Sequence, residues 1–341
     1  MKILNYNKLK TYNVKNILTI ILIFGFAISY SQQDPMFTKY MFNALWYNPA
    51  YAGSNEHMTL NLIHRSQWIG IEGAPQTQSF TIHTPLENNK VGVGFSLVND
   101  KIGPTNTLLA NISYAYRIPV GFGKLSFGLE AGIINFRADW NKLAHKDPDP
   151  NFNNNPDEWN PNFGAGIYYY TNRFYAGIGV PHLIEYDLSP QEVDNDLYAK
   201  EYRHYYFSMG GAINLKGPDL IFKPSILVKN VGLLSKFSKE EAFQSVTAPT
   251  EFDIDLSLFF YQTLWIGTAF RSSFEAFNGS STYDSFDIWM AYFLSSGLRL
   301  GVAYDYSLPT ELRSVNDGSI ELMLGYEFDY KTKRVVTPRY F

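Results

Sequence analysis

The chain has no cysteine in its 341 residues. That excludes a disulfide framework, a thiolate metal site, a cysteine nucleophile and an acylated lipoprotein N-terminus. It has no basic blocks, and 32 acidic residues outnumber 28 basic ones. An acidic balance without a basic stripe argues against nucleic-acid binding. It also lacks a Walker loop, a dinucleotide fingerprint and an HExxH helix. Ser, His and Asp all occur, but no spacing marks a triad, and a triad is recognised by geometry. The expectation is a protein that is not an enzyme and carries no cofactor. After residue 28 no apolar run approaches the ~20 residues a spanning helix needs.

What is present starts with the N-terminus. Lys2, Lys8, Lys10 and Lys15 precede an apolar run from Ile17 to Ile28, and no acid interrupts them. Ser29 and Ser31 then supply small residues before Gln32. A charged start, a short apolar core and a small-residue site read as a cleaved export signal over residues 1–31. Losing those four lysines takes the formal charge from −4 to −8. Aromatics make up 17% of the chain, with 25 Tyr and 26 Phe. Export, abundant aromatics and moderate hydropathy suit a transmembrane β-barrel, whose strands alternate apolar and polar residues.

Period-2 alternation gives about fourteen strands. They fall near Met58–Gln67, Gln78–Thr84, Val91–Val98, Leu108–Arg117, Leu125–Ile134, Phe163–Tyr170 and Phe174–Val180. Seven more follow near Tyr205–Leu215, Leu220–Val228, Phe252–Phe260, Leu264–Phe270, Phe286–Leu294, Leu298–Tyr306 and Ile320–Phe328. With the mature N-terminus in the periplasm, the even connections face the periplasm and are all short. They are Leu86–Lys90, Ile118–Lys124, Thr171–Arg173, Lys216–Asp219, Tyr261–Thr263 and Ser295–Gly297. The outward ones include the long Arg137–Asn162, Pro181–Arg203, Lys229–Glu251 and Arg271–Ser285. Short periplasmic turns and long outer loops are the outer-membrane pattern. The fold expected is all-β: one antiparallel outer-membrane barrel over 57–330, an irregular segment at 32–56 and a tail at 331–341.

The two strand faces differ as lipid and lumen should. One carries Phe95, Phe127, Phe207, Phe222, Phe286, Tyr292, Tyr304 and Tyr326 among aliphatics. The other carries Arg65, Arg117, Glu130, Lys223, Asp253, Asp255, Asp287, Arg299, Asp305, Glu321 and Glu327. A Lys or Arg on the lipid face would cost about 2–4 kcal/mol at the midplane, so this parity points inward. Gly92–Gly94 and Gly177–Gly179 lie inside strands, where small residues admit a close backbone. His64 shares parity with Leu60 and Leu62, whereas His83 opposes Phe80 and Ile82, so the two aim at opposite faces.

Two loops invite a functional reading. In Asp147–Glu158, residues Asp147, Asp149, Asn151, Asn153 and Glu158 fall at calcium-loop positions, but Phe152 replaces the turn glycine and flanking helices are absent. A Pro/Asn-rich exposed loop is the simpler account. Trp159 to Phe163 then leads back to a strand and could cover the rim. The Lys229–Glu251 loop carries Lys236, Lys239, Glu240 and Glu241, either solvated or in partner contact.

The segment Gln33–Gly53 matches neither a helix nor a strand period and is long enough to plug the lumen or close its periplasmic mouth. Its residues Asp34, Pro35, Tyr40, Phe42, Asn43, Tyr47, Asn48, Pro49, Ala50, Tyr51 and Gly53 resemble the opening signature of the PorP/SprF family of type IX secretion membrane proteins. The close at Pro338-Arg339-Tyr340-Phe341 is similar to that family's C-terminus. It lies beyond the last strand read here: either the pairing runs further or Lys331–Phe341 is a periplasmic tail. The resemblance implies an outer-membrane component of the Bacteroidota secretion and gliding system, surrounded by outer-membrane lipid. One implied role is an SprF-like partner that holds a large secreted cargo, such as an adhesin, through the cargo's C-terminal signal domain. Another is a PorP-like core role, coupled to periplasmic motor lipoproteins. A solute channel is a third reading, and it requires an open lumen.

Overall fold

A computed structural model describes residues 34–55, 57–86, 89–140, 155–187, 200–234, 248–278, 283–308 and 316–328. The export signal, most of the calcium-loop candidates and the 331–341 tail lie outside these residues. Among the described residues there are seventeen strands. The first seven are β1 (Met58–Ser66), β2 (Gln76–Pro85), β3 (Val91–Ile102), β4 (Thr105–Val120), β5 (Gly123–Ala138), β6 (Asp157–Tyr170) and β7 (Phe174–Val180). Then come β8 (Tyr186–Asp187), β9 (Lys200–Glu201), β10 (His204–Gly211), β11 (Ile213–Lys216) and β12 (Leu220–Val231). The last five are β13 (Glu251–Phe260), β14 (Leu264–Ser273), β15 (Ser285–Phe293), β16 (Leu298–Ser307) and β17 (Ser319–Phe328).

All but β8 and β9 join one antiparallel sheet, and the sheet closes on itself. β1 pairs with both β2 and β17, and β10 pairs with both β7 and β12. β11 continues β10 after Ala212 in the same register against β12, with Gly210 opposite Ser225 and Ile213 opposite Phe222. The two form one crossing, so the barrel has fourteen. Closure leaves no free edge, the condition for strands in lipid. Among the described residues no helix is long and apolar enough to cross a membrane.

Alternation sets the two surfaces. In β13, Ile254 and Leu256 face outward, while Asp253, Asp255 and Ser257 are buried. The outer surface is a belt of apolar and aromatic side chains, including Ile112, Leu129, Phe127, Ile288, Tyr292 and Leu322. At its outer edge Phe252 packs against Phe270, Phe274 and Phe277, and Tyr283 touches Phe270 and Phe277. Aromatic clusters at this level form the girdle that meets lipid headgroups.

The connections at one end are short: 86–90, 121–122, 171–173, 217–219, 261–263 and 294–297. The opposite end carries long connections, but also a tight one at 103–104 between β3 and β4. Strand ends run further than alternation indicates. β4 and β5 are 16 residues each and β6 is 14, more than the 9–11 a crossing needs. Much of the excess lies at the end with the long connections, where β5 and β6 stay paired as far as Arg137 and Asp157. Glu158 therefore lies within β6, opposite Phe136, and not in a loop. Glu158 is thus a strand residue, and the other four calcium-loop candidates, Asp147, Asp149, Asn151 and Asn153, lie outside the described residues. Trp159 to Phe163 likewise belong to β6, paired with β5.

Candidate functional site: the plugged lumen

The lumen holds the chain's own segment from Asp34 to Gly53. Three short turns shape it: 3-10 turns at Tyr40–Phe42 and Pro49–Tyr51 flank one helical turn, Ala44–Tyr47. Asn-Pro supplies the break between the last two. Asn48 is extended, and its side-chain oxygen accepts from the Ala50 amide at 3.0 Å, with Pro49 at the first turn position. Nearly every residue from Phe37 to Ala52 is buried.

The segment runs the length of the lumen. Asp34 sits at the outer end, beside His182 just after β7 and His204 at the start of β10. Gly53 sits at the periplasmic end, its amide donating to His83 at 3.1 Å, close to Pro85. β1 does begin on the periplasmic side, but the chain arrives there through the barrel. The expectation of a periplasmic N-terminal end is corrected: residue 34 lies at the outer mouth. The plug enters at one mouth and leaves at the other, and alternation along strands carries no signal for that.

The periplasmic half of the plug is held by close backbone contact. A β-carbon at Gly179 would lie 1.9 Å from the Tyr47 carbonyl oxygen, and one at Gly128 2.0 Å from the Ala50 nitrogen. Gly92 has the Ala52 oxygen at 2.1 Å, and Gly177 has the Asn48 side-chain nitrogen Nδ2 at 2.8 Å. The glycines inside strands thus clear a bed for the plug. Ser126 donates to the Ala50 carbonyl at 2.7 Å and Arg117 to the Ala52 carbonyl at 2.6 Å. Asn48 donates to the Ile167 carbonyl at 3.1 Å, and Asn43 to Ser79 at 3.1 Å. Aromatic rings fill the rest: Tyr51 meets Tyr168 and His83, Tyr47 meets Tyr206, and Phe42 lies edge-on to Trp265 at 4.9 Å.

The outer half is held by charge. Glu321 accepts from two successive plug amides, Thr38 at 2.7 Å and Lys39 at 2.9 Å. Thr38 donates its hydroxyl proton to Asp305, 2.8 Å from both carboxylate oxygens. Arg65 bridges Asp305 at 2.6 Å and Glu321 at 3.4 Å and donates to Thr38. Arg271 pairs with Asp253 at 2.7 Å, lies 3.8 Å from Asp287 and Asp305, and reaches the Phe37 carbonyl. Tyr40 shares a hydrogen bond with Ser225 at 2.7 Å. Buried charges persist only when paired and hydrogen-bonded.

The remaining inward charges have separate surroundings. Lys223 lies 3.3 Å over the Trp265 ring, and Trp289 donates to Asp255. Glu130 accepts from Ser113 at 3.3 Å. Arg299 pairs with Glu327 at 3.0 Å, and Glu327 also meets His57 near the periplasmic rim. Sequence reading missed Arg271, assigned to a loop although it shares inward parity with Trp265 and Ala269. It also missed Lys229, whose 2.8 Å pair with Glu251 joins two strand ends read as a loop.

At the outer mouth Asp34 forms a latch. His182 Nε2 is 3.4 Å from Asp34 Oδ1, and Glu201 is 3.7 Å from the other ring nitrogen. Tyr206 donates to Asp34 at 3.1 Å. Burial by itself would lower the His182 imidazole, but the Asp34 carboxylate outweighs it and raises it to about 9. Burial pushes Glu201 up to about 7. Burial would raise Asp34, but the two histidines more than offset it and hold its carboxyl well below the usual range. Among the described residues no His, Asp or Glu group is arranged to hold a metal ion.

Solved barrels resemble this one only in architecture. The CymD monoaromatic hydrocarbon channel matches at 11% identity and TM-score 0.47, over 83% of this chain and 91% of that one. The outer membrane protein Omp33 of Acinetobacter baumannii matches at 11% and 0.43, over 80% and 98%. A Pseudomonas aeruginosa FadL homologue matches at 12% and 0.42, over 83% and 93%. No curated protein matches. The model of one family, type IX secretion system membrane protein PorP/SprF, matches residues 29–326, which spans the plug and nearly the whole barrel. With a closed fourteen-strand barrel and that match, the chain is an outer-membrane protein and belongs to the PorP/SprF family of type IX secretion system membrane proteins.

Proposed function

We propose that this barrel is a closed docking platform for type IX secretion, an SprF-like partner that keeps a large secreted cargo, such as an adhesin of the gliding machinery, at the cell surface. The observation that carries this reading is the filled lumen. Its own segment crosses it from mouth to mouth, ion-paired at one end and backbone-packed at the other. A lumen so occupied suits a protein that works through its rim. The outer rim has the chain length: its connections at 139–156, 181–203, 232–250 and 274–284 far exceed the periplasmic turns. Loops on a rigid barrel are suited to binding. The role is binding without covalent chemistry, and the protein is not an enzyme.

The test is capture of tagged protein from its own outer membrane, followed by mass spectrometry. Recovery of one large secreted protein, lost when the outer connections are replaced by short turns, supports the cargo role. Recovery of periplasmic motor lipoproteins without cargo moves the protein to the PorP-like core role. Steady conductance of the intact protein in planar bilayers would instead favour a solute channel.

A further inference from the structure

The outer wall of the barrel carries a polar notch that the docking role does not use. Along β1, β2 and β3 the lipid-facing residues change character step by step. One level, Leu62, Phe80 and Leu97, is apolar; the next is His64, Gln78 and Asn99; the next is Ser66, Gln76 and Lys101. The middle level is joined across the strands. Asn99 donates to Gln78 at 3.0 Å, Gln78 meets His64 at 3.3 Å, and His64 meets Ser66 at 3.2 Å. On neighbouring β17 the same levels stay apolar, with Leu324, Leu322 and Ile320 exposed. Polar groups that face hydrocarbon are costly and call for partners.

Two grooves meet at this notch. The lower, about 380 Å³, is lined by Leu62, Phe80, Leu97 and Leu324. The upper, about 570 Å³, lies between the wall and the 67–75 connection, lined by Trp68, Ile71, Gln76 and Lys101. His64 and Leu322 line both. From Leu62 to Ser66 the wall spans about 13 Å at the usual rise per strand residue.

The upper groove is pre-built. Trp68 sits in the left-handed backbone region at φ 46°, which a bulky residue adopts only when its surroundings impose it. Those surroundings are visible. Trp68 donates its amide to Ser319 at 3.2 Å, Ile69 to Gly318 at 2.8 Å, and Gly103 to the Gly73 carbonyl at 2.8 Å. The connection is thus tied to the turns on both sides.

Charge names the occupant. In a chain with 32 acidic residues, neither groove is lined by a carboxylate, and Lys101 and His64 are the cationic or protonatable groups present. An apolar slot toward the membrane centre, topped by a polar ladder and a lysine at the outer rim, has the order of a lipid's own parts. We propose that this wall binds one phosphate-bearing lipid, its acyl chain along Leu62 and Leu97 and its phosphate at Lys101 and His64. The grooves, about 380 and 570 Å³, are of small-ligand size, whereas a stable protein contact needs a face of about 800 Å² per partner.

The test is native mass spectrometry of the full barrel in detergent, titrated with dioctanoyl phosphatidic acid. Dioctanoylglycerol and inorganic phosphate serve as comparison probes. One phosphatidic acid should bind per barrel, at least ~tenfold more tightly than either comparison probe. Lys101→Glu should lose that preference, and His64→Leu should reduce it while both variants keep the mobility of a folded barrel on unheated gels. If Lys101→Glu misfolds, Gln76→Glu places the same repulsion at the same level. Equal binding of dioctanoylglycerol, equal binding of phosphate alone, or unchanged binding in both acidic variants overturns the proposal. So does a dimer of the native protein that His64→Leu dissociates, since the notch is then a face between copies. Cargo capture is read separately, so failure here leaves the docking role standing.

Discussion

The two halves of the plug are held in place by different physics. The periplasmic half relies on shape: glycines in β3, β5 and β7 touch plug backbone, a β6 glycine meets the Asn48 side chain, and hydroxyls and amides complete the contacts. The outer half relies on charge: Glu321, Asp305, Arg65, Arg271 and the Asp34 latch. Shape is insensitive to conditions and cannot be undone without refolding the wall. Charge responds to protons, to salt and to a charged partner, because its strength depends on protonation and screening. The outer half also faces the side where the long connections lie. A signal that arrives at the rim meets the adjustable end of the plug first.

The largest effect is expected at the shape-held end. Gly179→Val sets a branched side chain where a β-carbon would already lie 1.9 Å from the Tyr47 carbonyl. The wall cannot yield, so the plug's inner half should leave its bed. Bilayer recordings should change from silence to steady conductance, and the melting temperature should fall by several degrees. Silence in the variant would mean the plug is held by charge alone.

Next in size is Glu321→Ala. It strips two plug amides of their acceptor and removes one of the two carboxylates paired with Arg65, leaving Asp305 and the Thr38 hydroxyl. Breaking a buried pair from one side costs about 3–5 kcal/mol. Denaturant unfolding in detergent should show a loss in that range, with the closed state loosened but conductance smaller than in Gly179→Val. Glu321→Gln, which keeps one acceptor oxygen, should recover part of the loss.

Much of the barrel was legible in the sequence because lipid and lumen impose opposite costs on alternate residues. Asp253 to Leu258 and Leu125 to Ile133 show that alternation without interruption. The periplasmic turns were legible too, since a two-to-five-residue connection leaves little room for error. What was hidden has more than one cause. Beyond the membrane, strands such as β5 and β6 continue by pairing with each other, and water tolerates any side chain there. Alternation fades, so Glu158 was read as a loop residue; Arg271 keeps its inward parity but follows Phe270, where the apolar side of the strand ends. The Asp34, His182 and His204 latch was hidden for a further reason. Asp34 lies on the plug, and nothing in strand alternation places the plug's entry beside the outer ends of the paired strands β7 and β10.

The smallest effect is the most specific to the charge-held end. His182, raised to about 9 from 6.5, adds stability to the latch that is complete below pH 6.5 and is lost as pH rises through 9. Glu201, raised to about 7 from 4.5, acts in the same sense, since the closed latch favours its neutral form. Asp34 acts oppositely: held below its usual 3.8, it adds stability above that pH and loses it in stronger acid. The latch should therefore be tightest between about pH 4 and 6.5 and loosen toward pH 9. A cysteine placed by Met36→Cys reports this as its rate of maleimide labelling, corrected for the thiolate fraction of a free thiol. The corrected rate should rise by about tenfold from pH 6 to pH 9. His182→Gln should flatten the rise and label fast throughout, because the amide cannot carry the charge that Asp34 holds. The Gly179→Val variant should keep the rise if the two halves of the plug act independently. If it abolishes the rise, the shape-held end sets the position of the latch, and the two halves move as one body.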